Sequence, residues 1–283
     1  MNPRIPMVLS RVSWYLLCSI FGFTMLVPLA WMISIALKPD SDILALPPEF
    51  LPSTFEWQNF VVGPQVINFY QLAANTMVVT GLFTVGAVFS SMFAGYAIAR
   101  IEFPGRKALF YAFVFTMFIP PIVTLVPLQR MYIGLGFNDT WWPLFLHGFF
   151  GVPLFIFLAR QFFASIPKGL DEAALIDGAS HLQIFTRIML PLTKPLWITM
   201  TILAVQSSWN DYINPLVYLQ SPEKYTLSLG MASFLGSLHA GVDATYNYYM
   251  ASNLLYMLPV LLLFFFAQRY FMLGLGSLGM TTK

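Results

Sequence analysis

The sequence predicts an all-α membrane protein with six transmembrane helices, and three observations carry that prediction. Of its 283 residues, 58% are hydrophobic and only 9% charged, with a mean hydropathy of +0.72. Soluble domains carry roughly 25% charged residues, so too few charges are present to clothe a water-facing surface. Six stretches are long and almost free of charge, and a spanning helix needs about 20 predominantly apolar residues. Finally, Lys and Arg divide unequally between the intervening loops. Ten-residue alternating segments are absent, which excludes a β-barrel.

The stretches run Val12–Leu37, Tyr70–Ala99, Ala108–Gln129, Trp141–Ala159, Pro195–Gln220 and Tyr246–Gln268. The first is too long for the roughly 7–15-residue apolar region of a signal peptide and ends in no small-residue cleavage site, so it reads as a retained helix. The fourth carries only His147, and the fifth only Asp211. With the N-terminus placed in the cytoplasm, eleven Lys/Arg fall inside and only Lys38, Arg130 and Lys224 outside. Positive residues favour cytoplasmic loops, so both termini are expected there. Trp141 and Trp142 suit one membrane boundary and Trp14 the other. Helix 1 and the outer segment to residue 69 read as an N-terminal addition. Residues 70–268 form the core, with a long inner loop at 160–194, and 269–283 a cytoplasmic tail.

Composition also sets limits. The net charge of +2 offers no basic face for nucleic acid. The single cysteine, Cys18, lies in an apolar run and reads as a small buried residue. No Cys/His spacing suggests a metal.

The inner loop Arg160–Lys194 is long enough to carry structure of its own. Leu170–Asp177 is rich in helix formers, with Asp171 and Glu172 where the helix dipole favours acids. Gly178 fits the stop after it. Ser180 with Gln183 three residues on reads as a capping box, and the helix it opens runs to Pro191. This helix–glycine–helix should expose Ala173, Ala174, Leu175 and Ile176. On physics alone it is either a docking element for a partner or an amphipathic hairpin lying on lipid.

The residues of this loop carry a resemblance. Glu172-Ala173-Ala174, then Gly178 after three residues, then Ile188, then Leu190-Pro191, is similar to the EAA loop of binding-protein-dependent ABC importer permeases. Leu37-Lys38-Pro39, Phe103-Pro104-Gly105-Arg106, Trp209-Asn210-Asp211-Tyr212, Tyr225-Thr226-Leu227 and Ala267-Gln268-Arg269 extend it over nearly the whole chain. Together they resemble the sugar branch of that family, in particular its maltose-type second permease (MalG-like) subunit.

The resemblance implies a type I ABC importer permease fold in the bacterial cytoplasmic (inner) membrane. It implies a second permease, two ATPase subunits and an extracytoplasmic solute-binding protein as partners. The EAA helix would sit in a cleft of the ATPase, with Glu172 as ion-pair partner of a basic ATPase residue. Gly178 would set the turn and Asp177 would support either. Ile188, Leu190 and Pro191 complete the element. The tail Gly274–Lys283 is a weaker contact candidate, because its ending Met280-Thr281-Thr282-Lys283 departs from the family pattern. The implied solute is a disaccharide or oligosaccharide, with glycerophosphodiesters as the alternative.

On the fifth helix, which Pro195 and Pro215 would break or kink, Thr199, Gln206, Ser207, Asn210 and Asn214 fall within about 100° of one another at 100° per residue. This polar stripe either lines the solute path or joins helices, each contact then contributing about 0.6 kcal/mol. Asp211 lies just off the stripe, and Asn75 of helix 2 is a second lining candidate. His147 reads as a satisfied interior residue. The outer segment Ser221–Thr245 is either a flexible solvated loop or one that enters the binding protein's cleft.

No hydrolase or metalloprotease motif occurs, and no Gly-Lys dipeptide exists for a Walker loop. The chain is therefore expected to be no enzyme and to need no cofactor of its own, with ATP and Mg held by the partner ATPase. A stand-alone secondary carrier would require charged relay residues in the spans, and Asp211 alone is available.

Overall fold

A computed structural model describes residues 4–43, 45–239 and 246–279, with side chains described for 13–43, 45–239 and 246–268. All regular elements among them are helical. Four helices are each long and apolar enough to cross a membrane, and two sharply bent pairs bring the number of candidate spans to six. Large apolar side chains stand exposed along them, including Phe89, Phe115, Phe118 and Phe266. A water-soluble surface does not tolerate that density.

The chain gathers into two compact units, residues 1–69 with 231–257 and residues 70–230 with 258–283. The first holds α1 (Arg4–Ala36) and the short helices α2 (Asp40–Ile43) and α3 (Asn59–Val66). Lys38, the cation that ends the first apolar run, is buried, donates to the Glu49 carbonyl and lies 4.9 Å from the centre of the Trp31 ring. Two amides secure the chain there. Asn59 donates to the Ala36 and Lys38 carbonyls, both at 3.0 Å, and Asn247 donates to Lys38 at 3.1 Å. Gly63 packs so closely on the Tyr248 backbone that a Cβ would lie 2.7 Å from its carbonyl oxygen.

The second unit begins on α4 (Phe69–Arg100), a 32-residue helix. The third apolar stretch departs from the expected single helix. It is α5 (Arg106–Thr116) and α6 (Pro121–Gly134), bent by 102°. Pro120 followed by Pro121 explains the break. A residue before proline is excluded from the helical region, and Pro120 is extended at φ −61°, ψ 129°. The fourth stretch is α7 (Trp142–Phe145), a 3-10 turn (Leu146–Phe150) and α8 (Pro153–Ser165). Small residues let α8 approach α4. A Cβ on Gly95 would sit 2.5 Å from that of Ala159, a packing typical of membrane helices. Around this crossing Met92, Tyr96, Phe155, Phe163, Phe185 and Met200 form a buried core.

The inner loop supplies α9 (Gly169–Ile176), then α10 (His181–Ile184), a π turn (Phe185–Met189) and α11 (Leu190–Leu192) as one helical run. α12 (Lys194–Trp209) leaves that run at 81°. The expected fifth helix to Gln220 stops eleven residues early. Pro215 would lose a hydrogen bond to Asp211 and clash with its carbonyl in a continuous helix. That carbonyl accepts from the Ser228 hydroxyl instead, and α13 (Ile213–Tyr218) starts afresh.

The outer segment is also corrected. Much of it is the helix α14 (Leu227–His239), not a solvated loop, with Leu227, Leu229, Met231 and Phe234 buried. Residues 240–245 of that segment lie outside the described residues, as do residues 280–283 of the tail. α15 (Tyr246–Gly279) closes the chain.

Candidate functional site

The inner loop is organised by its own sequence. α9 has Asp171 and Glu172 in its first turn. Its far end is a complete Schellman closure. The Gly178 N–H donates to Leu175 at 3.0 Å and the Ala179 N–H to Ala174 at 2.9 Å. Gly178 adopts φ +81°, which glycine reaches without strain. The capping box also forms. The Ser180 N–H donates to Gln183 Oε1 at 2.8 Å, and the Gln183 N–H to the Ser180 hydroxyl at 3.3 Å.

The helical period sorts α9 into two faces. Asp171 and Ala174, three apart, turn inward. Ala174 belongs to the buried core with Phe163, Ile184 and Phe185, so the expectation that it is exposed is corrected. The reason is its register, one turn from the anchored Asp171. Glu172, Ala173, Leu175, Ile176, Asp177 and Gly178 face outward. Ile176 is 84% exposed, an apolar side chain that no other described residue covers.

The inward anchor is a pair that sequence reading missed. Arg100, last residue of α4, reaches Asp171 at 3.0 Å, with side-chain exposures of 3% and 14%. Its second nitrogen donates to the Ile166 carbonyl at 2.5 Å. Burial pushes the Asp171 carboxyl up, and Arg100 offsets that only in part. The available signal was the acid preceding Glu172, in register with Ala174. Beyond Gly178, Ile188 and Leu190 are half-buried and Pro191 exposed. Leu190 and Pro191, with Thr186, Lys194 and Trp197, line a shallow groove of about 380 Å³. The π turn ends at Met189, two residues before Pro191, which has no N–H of its own to give; such turns recur at functional sites.

At the other end, the expected polar stripe is divided. Gln206, Ser207 and Asn210 are exposed at the end of α12, while Thr199 is buried and donates to Pro195 at 2.8 Å. Asn210 donates to Gln206 at 2.8 Å. Asn214 belongs to α13, where its N–H and side-chain amide donate to the Asp211 carboxylate at 3.2 and 2.9 Å. Asn75 is buried and donates both amide hydrogens outward along the chain, to Glu223 at 2.8 Å and Tyr225 at 2.9 Å. His147 meets the Pro143 carbonyl at 3.3 Å, but on the 3-10 turn between α7 and α8 it is exposed, so the expected interior placement is corrected.

A second missed cluster secures the outer loops. Asp139, at φ +51°, accepts from the Gln220 and Ser221 N–H groups at 2.9 and 3.1 Å. It also accepts from the Ser221 hydroxyl at 2.6 Å and Lys224 Nζ at 2.8 Å. Lys224 first, then Ser221, holds its carboxyl well below the usual carboxylate range. Among the described residues no cluster could hold a metal ion.

Comparison with known proteins agrees with this architecture. Residues 86–275 match the family model described as binding-protein-dependent transport system inner membrane component. The melibiose/raffinose/stachyose import permease MelC of Bacillus subtilis is 33% identical over 264 residues, 93% of this chain and 94% of that one. The arabinooligosaccharides transport permease AraQ of the same organism is 31% identical over 271 residues, 94% of each. A crystal structure of a bacterial ABC transporter that imports alginate superposes at TM-score 0.80 and 25% identity, covering 96% of this chain and 99% of that one. The chain therefore belongs to the family of inner membrane components of binding-protein-dependent transport systems.

Proposed function

We propose that this chain is one permease subunit of an ATP-driven importer for an oligosaccharide, in which it forms half of the translocation path. A separate ATPase supplies the hydrolysis, and an extracytoplasmic protein delivers the solute. The observation that carries the reading is the two-faced helix α9. Asp171 and Ala174 tie it to the membrane helices, while Glu172, Ala173, Leu175 and Ile176 are left for a partner. A self-sufficient carrier has no use for such a surface. Both termini and this loop lie on the cytoplasmic side, as the placement of Lys and Arg supports.

In this reading Glu172 pairs with a basic ATPase residue. Asp177 and Gly178 hold the turn, and Ile188, Leu190 and Pro191 shape the groove beside it. Closure of the ATPase pair then drags α9, and the buried Arg100–Asp171 pair passes the movement to α4. At the outer ends, Gln206, Asn210, Asp211 and Asn214 lie beside the path, and Asn75 braces the outer segment that borders it. The oligosaccharide assignment is supported by what MelC, AraQ and the alginate importer carry.

The test is purification of the tagged chain in mild detergent with mass spectrometry of its companions. Recovery of a second permease and a Walker-containing ATPase supports the importer. A lone chain that moves solute across liposomes overturns it.

A further inference from the structure

Where α5 passes the inner ends of α4 and α8, a cavity of about 360 Å³ is lined by Arg106, Lys107, Phe110, Tyr111, Arg160 and Gln161. Three cations therefore face one small space. Their countercharge is poor. Glu102, whose side chain is 82% exposed, stands 3.9 Å from Arg106, and a pair so open to water neutralises little. Arg106 also donates to the Ile101 carbonyl at 3.3 Å. Arg160 lies 4.8 Å from the centre of the Phe110 ring and donates one nitrogen to Gln161 at 2.9 Å. Its Nε–H is buried and meets no acceptor among the described residues. Lys107 is exposed and has no ion pair among them.

The surface leading away from these cations is apolar. Lys107, Tyr111 and Phe115 stand four residues apart, on one face of α5. Tyr111 is exposed and Phe115 more so, and Phe118 continues the exposed face. One helix thus presents a cation at its end and then aromatic rings along its length. The cations terminate an apolar span, so they lie at a membrane surface in either orientation of the chain.

We propose that this cavity binds the phosphate of an anionic phospholipid, with an acyl chain laid along Tyr111 and Phe115. A phosphodiester supplies anionic oxygens to a guanidinium fork and an ammonium. Basic pockets at the ends of transmembrane helices favour such headgroups. A choline headgroup would add a fourth positive charge to the three already present, so phosphatidylcholine is the poor ligand. A free phosphate would use the same cations and leave the aromatic face unused.

Native mass spectrometry of the delipidated chain with its co-assembling subunits tests this. Titration uses phosphatidylglycerol, with phosphatidylcholine as control and inorganic phosphate as competitor. Phosphatidylglycerol should bind first, and Lys107→Gln and Arg160→Gln should each weaken it about fivefold, the effect of removing one basic charge near an anionic headgroup. Lys107→Gln alters an exposed side chain, so it reports even where Arg160→Gln impairs folding. Equal binding of the two lipids overturns the proposal, as does phosphatidylglycerol binding unchanged in Lys107→Gln. Displacement by inorganic phosphate also overturns it and assigns the site to free phosphate. Protection of Lys107→Cys from a thiol reagent by an assembled subunit overturns it in favour of a protein contact.

Discussion

The Arg100 guanidinium lies 3.0 Å from the Asp171 carboxylate, and both side chains are largely withdrawn from solvent. One residue ends the 32-residue helix α4 and the other lies in the first turn of α9, the helix with the exposed face. Removing one member of a buried pair typically costs about 3–5 kcal/mol, because the other charge is left uncompensated. Arg100→Met should therefore lower the melting temperature of the purified assembly and its uptake. The double variant Arg100→Met/Asp171→Leu should regain most of the stability and little of the coupling. A single variant as stable as the parent, in a thermal-shift assay, would show that the pair anchors nothing.

Gly178 separates backbone from bulk. Its φ of +81° costs an ordinary L-residue roughly 1–2 kcal/mol, yet nothing within 4 Å would meet a Cβ there. Gly178→Asn, which tolerates this conformation, should keep most ATP-driven uptake. Gly178→Val should uncouple hydrolysis from uptake or disassemble the complex. Normal uptake by the valine variant would remove the turn from the coupling element.

Asn75 spends both amide hydrogens on the carbonyls of Glu223 and Tyr225. Asn75→Leu strands the Tyr225 carbonyl, at about 1–3 kcal/mol for a group left unpaired away from water, while the Glu223 carbonyl keeps the Gln71 amide at 3.1 Å. The outer segment should then exchange its amide hydrogens faster from Glu223 through Leu227. Unchanged exchange would leave Asn75 with no bracing role.

The acids at the two ends respond to pH with opposite sign. Asp139 has its folded pKa depressed, so its stabilisation is present above its unfolded value and is lost as pH falls through the folded value. Trp141, whose indole donates to the Lys224 carbonyl at 2.8 Å, reports on this cluster. Its fluorescence should hold steady down to about pH 4 and change below that, and Asp139→Asn should abolish the acid step. Asp171 has its folded pKa raised, so its contribution is complete below the unfolded value and diminishes as pH climbs through the folded one.

Asn210 tests the path. Asn210→Ala should change uptake kinetics unevenly across a panel of oligosaccharides if the exposed end of α12 borders the solute. Identical kinetics for all of them would mean the stripe only joins helices.

What the sequence made legible was local. Ser180 with Gln183, and Gly178 after a run of helix formers, are signals three to eight residues long, and each forms as its spacing requires. Hydrophobic runs located six candidate spans, because length and apolarity decide membrane crossing. Two features escaped. Composition does not register a break that leaves a segment apolar, so the bend before Pro121 was hidden inside a uniform stretch. Pairings between distant positions were hidden as well. Arg100 and Asp171 are 71 residues apart, and Asp139 and Lys224 are 85 apart, as their numbers show. Ala174 was misplaced for the same reason, since only the anchored Asp171 reveals which way α9 is turned.

α4 has a mechanical consequence. Asn75 and Arg100 belong to the same uninterrupted helix, and 25 residues at about 1.5 Å each put them roughly 38 Å apart. Each is fastened to a different loop at its own end. Such a beam works as a lever arm: a tilt of about 6° at one end displaces the other by roughly 4 Å over that length. That exceeds the length of either amide hydrogen bond at Asn75. A small swing at one end of α4 is thereby large enough to make or break a hydrogen bond at the other.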